Sequence, residues 1–263
     1  VAEHLILRLD APLQAWGDVA MDPTRPTRDF PSRSGLAGLL ASALGWRYRD
    51  ADRTTALQDA LRYAVREDRR PQVVRDYQTA DLGGIGRQGW TRWGTETRGG
   101  GSASGTQVLE KFYLADGVFT VALGLAGGAA ELPGGGRITL GELEQPLRRP
   151  ARPLFLGRKG CPPASPLLRP VRISAATPLD ALRQVPLAKR DRELIDDHAS
   201  TRLRVWYDPV DGEPDDTPDA TDPAEVWDRR DFRSNRFGGS RRIVQALIPV
   251  ERFPIEPSTR EAA

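Results

Sequence analysis

HLILRL (residues 4–9), DAPLQAWG (10–17) and SGLAGLLASAL (34–44) open the chain, and their succession of strand, loop and helix decides the fold class. The first is a short, continuous apolar run of the length of a buried strand. Asp10, Pro12 and Gly17 break it. The stretch 17–31 carries prolines and no apolar periodicity, so it reads as an extended loop. In the third segment Leu36, Leu39, Leu40, Ala43 and Leu44 share one helical face. Ser32 or Ser34 caps that helix and Gly45 ends it. Gly35 and Gly38 cost helix propensity, and close approach of another backbone is the expected reason for them.

Working outward, a second helix is expected over about 54–61, then strands at 61–68 and 72–77 separated by an Arg69-Arg70-Pro71 turn. Residues 78–106 are glycine-rich, with no apolar face beyond their tryptophans, and read as a long projecting loop, a thumb at about 79–106. Strands 107–114 and 118–125 follow, joined by an Asp116-Gly117 hairpin turn. Thr139 and Glu142 form a capping box opening a helix to about Leu147. A proline-rich extended stretch (150–170) precedes a strand at 171–175. Weak short elements fill 177–240, with an acidic, solvated or disordered loop at about 208–223, and a last strand covers 242–249. This order predicts an α+β, ferredoxin-like domain of the RNA-recognition type, with helices on one face of an antiparallel sheet. It would occupy residues 1–176, with a smaller β-containing C-terminal region over 177–263.

Composition excludes several classes of function. No apolar run approaches the roughly 20 residues of a membrane helix. The start of the chain, with Glu3, has no signal-peptide layout, and a cytoplasmic setting is expected. Cys161 is the only cysteine, so neither an internal disulfide nor a cysteine-based zinc site can form. With only His4 and His198, no histidine–cysteine metal site or nucleophilic triad is available. No metal and no cofactor is expected. GGIGRQG (83–89) lacks the following helix of a dinucleotide fingerprint.

Net charge is only +2, yet all but three of the 38 cationic residues are arginine. Arginine suits phosphates and bases because its planar fork bonds bidentately and stacks; a GC-rich genome would also enrich it. Arginines crowd 25–33, 47–49, 62–75, 87–98 and 148–172, while acids crowd 191–231. In the thumb, Arg87, Trp90, Arg92, Trp93 and Arg98 interleave cations with flat rings, the combination that holds single-stranded nucleic acid. Arg25, Arg28 and Arg33 precede a helix N-terminus, where Ser32, Ser34 and backbone amides make an anion site. The alternative for Arg33 is an ion pair with nearby Asp29.

LILRLDAPLQAWG, TRPTRDFPSRSGLAGLLASALGW, YAVREDRR, VVRDYQTA, FYLADGVFTVAL and RPLFLGRKGCPPASPLL occur in one order over most of residues 4–170. Together they resemble the CasD family of the type I-E CRISPR Cascade complex, within the RAMP superfamily. Past about residue 177 the resemblance weakens. It implies an RNA-binding subunit in antiviral defence, not itself an enzyme. Such a subunit grips the repeat-derived 5′ handle of the CRISPR RNA, caps the CasC backbone filament, contacts the large subunit CasA, and meets target DNA indirectly. On that reading Gln14, Trp16, Arg25 and Arg33 line the handle pocket, and the thumb arginines neutralise phosphates. Arg158 and Lys159 in LGRKGCP touch phosphate or a neighbouring subunit. In the type I-C relative the same fold is the processing ribonuclease. The competing expectation is therefore a metal-independent endoribonuclease using Lys111 and Tyr113, which alternate on one strand face.

Overall fold

A computed structural model of the chain describes residues 1–19, 23–81, 88–91, 94–97, 106–188, 191, 202–209, 217 and 220–254. Strand β1 (Ala2–Asp10) precedes four two-residue strands: β2 (Leu13–Gln14), β3 (Trp16–Gly17), β4 (Thr24–Arg25) and β5 (Thr27–Arg28). Helices α1 (Arg33–Ala43) and α2 (Ala51–Ala60) lead to β6 (Leu61–Arg69) and β7 (Gln72–Asp81). Next come β8 (Gln88–Thr91), β9 (Gly94–Thr97), β10 (Thr106–Ala115) and β11 (Val118–Leu125). A small hairpin, β12 (Ala129–Glu131) and β13 (Arg137–Thr139), precedes α3 (Leu140–Arg148), β14 (Leu168–Ala175) and α4 (Pro178–Gln184). Strands β15 (Arg202–Tyr207), β16 (Ala224–Asp231) and β17 (Arg236–Pro249) follow.

The main sheet runs β14-β1-β11-β6-β15-β17-β16, with every neighbouring pair antiparallel. Its first four strands are the ferredoxin-like order, fourth-first-third-second, with α1 and α2 linking β1 to β6 and α3 linking β11 to β14. The expected fold class is the observed one. Strands β15, β17 and β16 continue the same sheet beyond β6.

β11 is buried along its whole length, so both faces of the sheet need cover. Leu5, Leu7, Leu9, Val65, Phe119, Val121 and Leu123 point to one face, beneath Leu36 and Leu40 of α1, Leu57 of α2 and Leu143 of α3. Ile6, Ala64 and Ala122 point to the other, which α4 closes with Leu179 and Leu182. The expectation of helices on one face only is thus corrected. A strand without apolar–polar alternation is a strand with two covered faces.

The local signals held where they were strongest. Ser32 caps α1, its Oγ accepting from the Gly35 amide at 3.2 Å, and Gly45 ends the helix with φ +76. What crowds Gly35 is the ring of Trp16, 2.9 Å from where a Cβ would sit, not another backbone; Gly38 has nothing within 4 Å. The Thr139–Glu142 capping box opens α3 as expected, with the Thr139 amide donating to Glu142 Oε2 at 2.8 Å.

Two expected turns are not turns. β6 pairs with β11 and β7 with β10, and the rungs Arg69↔Val118 and Gln72↔Ala115 continue one register. Residues 61–81 and 106–125 therefore form one long antiparallel hairpin. Arg70-Pro71 and Asp116-Gly117 lie opposite each other as a break in its ladder. Pro71 has no amide to donate, and Asp116 sits at φ 56, so neither strand can continue its hydrogen bonding there. The proximal half belongs to the main sheet. The distal half, ten rungs from Gln72↔Ala115 to Asp81↔Thr106, extends roughly 30 Å at strand rise. Within the segment read as irregular loop, β8 and β9 form a further hairpin.

Candidate nucleic-acid interface

The distal ribbon is edged on its β10 side by β2, antiparallel at Leu114↔Gln14, and by β4, parallel at Lys111↔Arg25. Paired residues share a face, so Arg25, Lys111 and Asp76 form a row across three strands. Lys111 Nζ donates to Gln78 Oε1 at 2.7 Å, and Gln78 Nε2 donates to Asp76 Oδ2 at 2.6 Å. Two rungs closer to the main sheet, Arg158 lies over the Tyr113 ring, 4.6 Å from its centroid. Arg158 also donates to the carbonyls of Phe112 (2.9 Å), Arg25 (2.9 Å) and Pro26 (3.4 Å). Its guanidinium holds β10 and the β4–β5 segment together while keeping its charge on this face. Lys159 next to it is exposed.

The turn that aims Arg158 admits only glycine at 157. Gly157 has φ +96, and a Cβ there would fall 1.6 Å from the Ala15 carbonyl oxygen. The Ala15 amide donates to the Leu156 carbonyl at 3.0 Å, so this loop and the one carrying Gln14 and Trp16 lie backbone to backbone.

That packing removes Gln14 and Trp16 from any ligand surface: both are fully buried. Gln14 Nε2 donates to the carbonyls of Leu9 (3.1 Å) and Gly117 (2.8 Å), and its Oε1 accepts from Trp16 Nε1 at 3.1 Å. Every polar side-chain atom of the pair is spent inside the protein. They buttress the base of the ribbon; they do not line a pocket.

The anion site expected at the N-terminus of α1 already holds a carboxylate of the protein itself. Asp228, fully buried, accepts from the Arg33 amide at 2.9 Å. Arg241 forks the same carboxylate, Nε to Oδ1 at 2.9 Å and Nη2 to Oδ2 at 3.0 Å. Arg241 also bonds Asp208 and the Tyr63 hydroxyl. Arg33 Nη2 donates to both carboxylate oxygens of Asp208, at 3.0 and 2.9 Å, and not to Asp29, whose partner is Arg204. Burial alone would lower the Arg241 pKa, but Tyr63, Asp208 and Asp228 hold it raised; burial pushes the Tyr63 hydroxyl upward. Ser34 is buried behind this cluster. Arg28 donates to Asp18 Oδ1 at 2.7 Å and to the Trp227 carbonyl at 3.0 Å. Arg28 and Arg33 thus join the first loop to the C-terminal strands. Asp208 and Asp228 went unnoticed in the sequence, although Asp228 beside an apolar Val226 and Arg241 within a strand-like run are charges at inward positions.

A second buried charge row crosses the other sheet face. Arg8, Thr120 and Arg66 stand side by side on β1, β11 and β6. Arg66, fully buried, donates to Asp68 Oδ1 at 2.5 Å and to the Val185 carbonyl at 2.7 Å, while Arg8 meets Asp191 at 2.7 Å. His4 is buried too, its Nδ1 3.3 Å from the Ile173 carbonyl oxygen, and burial lowers its pKa.

Of the thumb residues, Arg87, Arg92, Trp93 and Arg98 lie outside the described residues, as does His198; Trp90 lies in β8, its backbone opposite Thr95. No cluster of three or more potential metal ligands occurs among the described residues. No described helix is long and apolar enough to cross a membrane.

The chain is similar to known proteins along most of its length. A family model described as CRISPR-associated protein (Cas_Cas5) matches residues 4–244. The CRISPR system Cascade subunit CasD of Escherichia coli (strain K12) is 39% identical over 172 residues, which is 62% of this chain and 69% of that protein. A solved chain described as a CRISPR RNA-guided surveillance complex has a TM-score of 0.65 at 27% identity, covering 97% of this chain and 95% of that one. Another, described as the crystal structure of a Cas protein, has a TM-score of 0.61 at 25% identity, covering 97% and 99%.

Proposed function

The chain belongs to the Cas5 family of CRISPR-associated proteins, and from that premise we propose that it is a non-catalytic subunit of a Cascade-type surveillance complex that holds the 5′ handle of the CRISPR RNA. The observation that carries this reading is the cationic face at the base of the ribbon, where Arg25, Lys111, Arg158 and Lys159 gather on strands and a tight loop. Phosphates bind along such a face because several fixed cations release counterions together. Specificity for the handle needs stacking or base-edge contact in addition. The aromatic and arginine side chains at 87–98 supply that chemistry: Arg87, Trp90, Arg92, Trp93 and Arg98. The subunit caps the CasC filament, meets CasA, and works in the cytoplasm.

Lys111 and Tyr113 do share a face, as the ribonuclease reading requires. Both are engaged, Lys111 with Gln78 and Tyr113 beneath Arg158, and no histidine lies beside them on β10. The scaffold reading is the one supported.

The test compares RNA carrying the cognate 5′ handle with a scrambled handle, at two salt concentrations, using wild type, Lys111→Ala and a variant lacking residues 84–103. The expected result is handle-selective binding, weakened by Lys111→Ala with a shallower salt slope and lost in the deletion. Equal binding of both RNAs, unaffected by either change, would refute the reading. Repeat RNA incubated with the protein in EDTA should stay intact.

A further inference from the structure

We propose that the chain has a second nucleic-acid surface, at the C-terminal end of α1, which contacts the phosphate backbone of a duplex. Three segments distant in sequence meet there. Arg152 donates to the Trp46 carbonyl, and the Ala151 amide donates to the Ala43 carbonyl at 3.0 Å, docking the chain after α3 against the end of α1. Tyr48 Oη donates to the Arg233 carbonyl, and Arg233 forks the Asp52 carboxylate, docking the β16–β17 turn against the start of α2. Residues 47–53, 148–152 and 229–236 carry ten arginines against three aspartates, in a chain whose net charge is only +2.

The fold does not consume these charges. Arg47, Arg49, Arg53, Arg148, Arg149 and Arg236 are all exposed, and none of the six is in an ion pair among the described residues. The acids nearby are occupied. Asp52 is forked by Arg233, Asp59 by Arg229 at 2.7 Å, Asp50 accepts from the Arg47 amide at 2.8 Å, and Asp231 accepts from the Arg233 amide at 2.9 Å. A concentration of unpaired like charge destabilises a free protein, and a polyanion relieves that repulsion.

The chemistry favours a duplex over a single strand. Single strands are held by rings on which bases stack; the exposed ring here, Tyr48, has its hydroxyl tied to the Arg233 carbonyl. The cations stand in the α1–α2 connection, at helix ends and at a hairpin turn, positions suited to backbone contacts, which position a duplex without reading its sequence. The surface is separate from the ribbon base. It lies at the far end of the eleven-residue α1, about 16 Å along the helix axis, from the Trp16 loop.

The full-length chain is titrated with a fluorescent DNA duplex of mixed sequence, and with one strand of it, across a salt series. Two variants are compared: Arg47→Glu/Arg49→Glu/Arg53→Glu and Arg148→Ser/Arg149→Ser. Duplex is expected to bind more tightly than the single strand. The triple variant should lose at least about tenfold in duplex affinity, with a salt slope shallower by about 0.9 per phosphate contact removed. Thermal midpoints should not fall, since removing like charge relieves repulsion in the free protein. Lys111→Ala should leave duplex binding intact, and the triple variant should keep its preference for handle over scrambled RNA, so failure here is distinguishable from failure of the handle reading. Duplex affinity equal to wild type in both variants, a single strand bound as well as the duplex, or no duplex binding by wild type would each overturn the proposal.

Discussion

Replacing Asp228 with alanine tests whether the cluster at the head of α1 is structural. The carboxylate is fully buried and accepts three hydrogen bonds, from the Arg33 amide and from two nitrogens of Arg241, at 2.9–3.0 Å. Removing one partner of a buried ion pair costs about 3–5 kcal/mol, because the other charge is left uncompensated. Arg241 keeps Asp208 and Tyr63, which places the loss toward the lower end of that range. The orphaned first-turn amide of α1 adds about 1 kcal/mol. A total near 4 kcal/mol, at roughly 2 °C per kcal/mol for a chain of this size, lowers the melting temperature by about 8 °C. Thermal unfolding followed by circular dichroism reads this directly. Adding Arg241→Met to Asp228→Ala should recover part of the loss, since the uncompensated cation is then gone. A fall of less than about 2 °C, or strict additivity in the double variant, would show that the cluster does not couple α1 to the C-terminal strands.

Arg33→Ala should behave in the same way, losing stability while the salt slope of RNA binding stays that of wild type, because its Nη2 is held by Asp208; titrations at two salt concentrations check it. Gly157→Ala places a methyl 1.6 Å from the Ala15 carbonyl oxygen at φ +96, so the variant should lose more than about 3 kcal/mol or accumulate insolubly, read from soluble yield and melting temperature. His4 is held neutral by burial, below its ordinary pKa of 6.5. Its contribution is complete above 6.5 and is lost as pH falls through the depressed folded value. Urea unfolding from pH 8 to pH 5 should therefore show a steeper loss for wild type than for His4→Gln.

The elements legible in the sequence were those whose information is local. Ser32, Gly45 and the leucine face announce α1, and Thr139 with Glu142 announces α3, because capping and periodicity act within a few residues. Strand pairing is not local. Asp116-Gly117 has the composition of a hairpin turn, yet the partners of β10 and β11 lie 25 to 64 residues earlier, and only the register carried from Arg69↔Val118 to Gln72↔Ala115 reveals the break as one kink in a longer ladder. The site divides in the same way. Arg25, Arg158 and Lys159 were proposed from their residue types, and the fold sets Arg158 against the Arg25 carbonyl, with Lys159 exposed next to it. Gln14, Trp16 and Arg33 are the right types for a binding pocket, but partners 103 and 175 residues away claim Gln14 and Arg33. β15 and β16 escaped notice because acidic and proline-rich neighbours dilute their apolar alternation, although Val205 and Trp206 are core residues.

The register that carries on across Arg70-Pro71 and Asp116-Gly117, from Arg69↔Val118 to Gln72↔Ala115, also constrains how this chain can change length. A residue inserted at Arg70-Pro71 alone would shift β7 by one rung against β10. Side chains alternate faces along a strand, so the Asp76–Gln78 partners of Lys111 would be carried to the opposite side while the core-facing half stayed fixed. Insertions at that junction are therefore tolerable only in company with matching ones at Asp116-Gly117, whereas residues added beyond Asp81 and before Thr106 leave every rung in place. Length variation among relatives should accumulate at the tip, and the two flanks of the kink should gain or lose residues together.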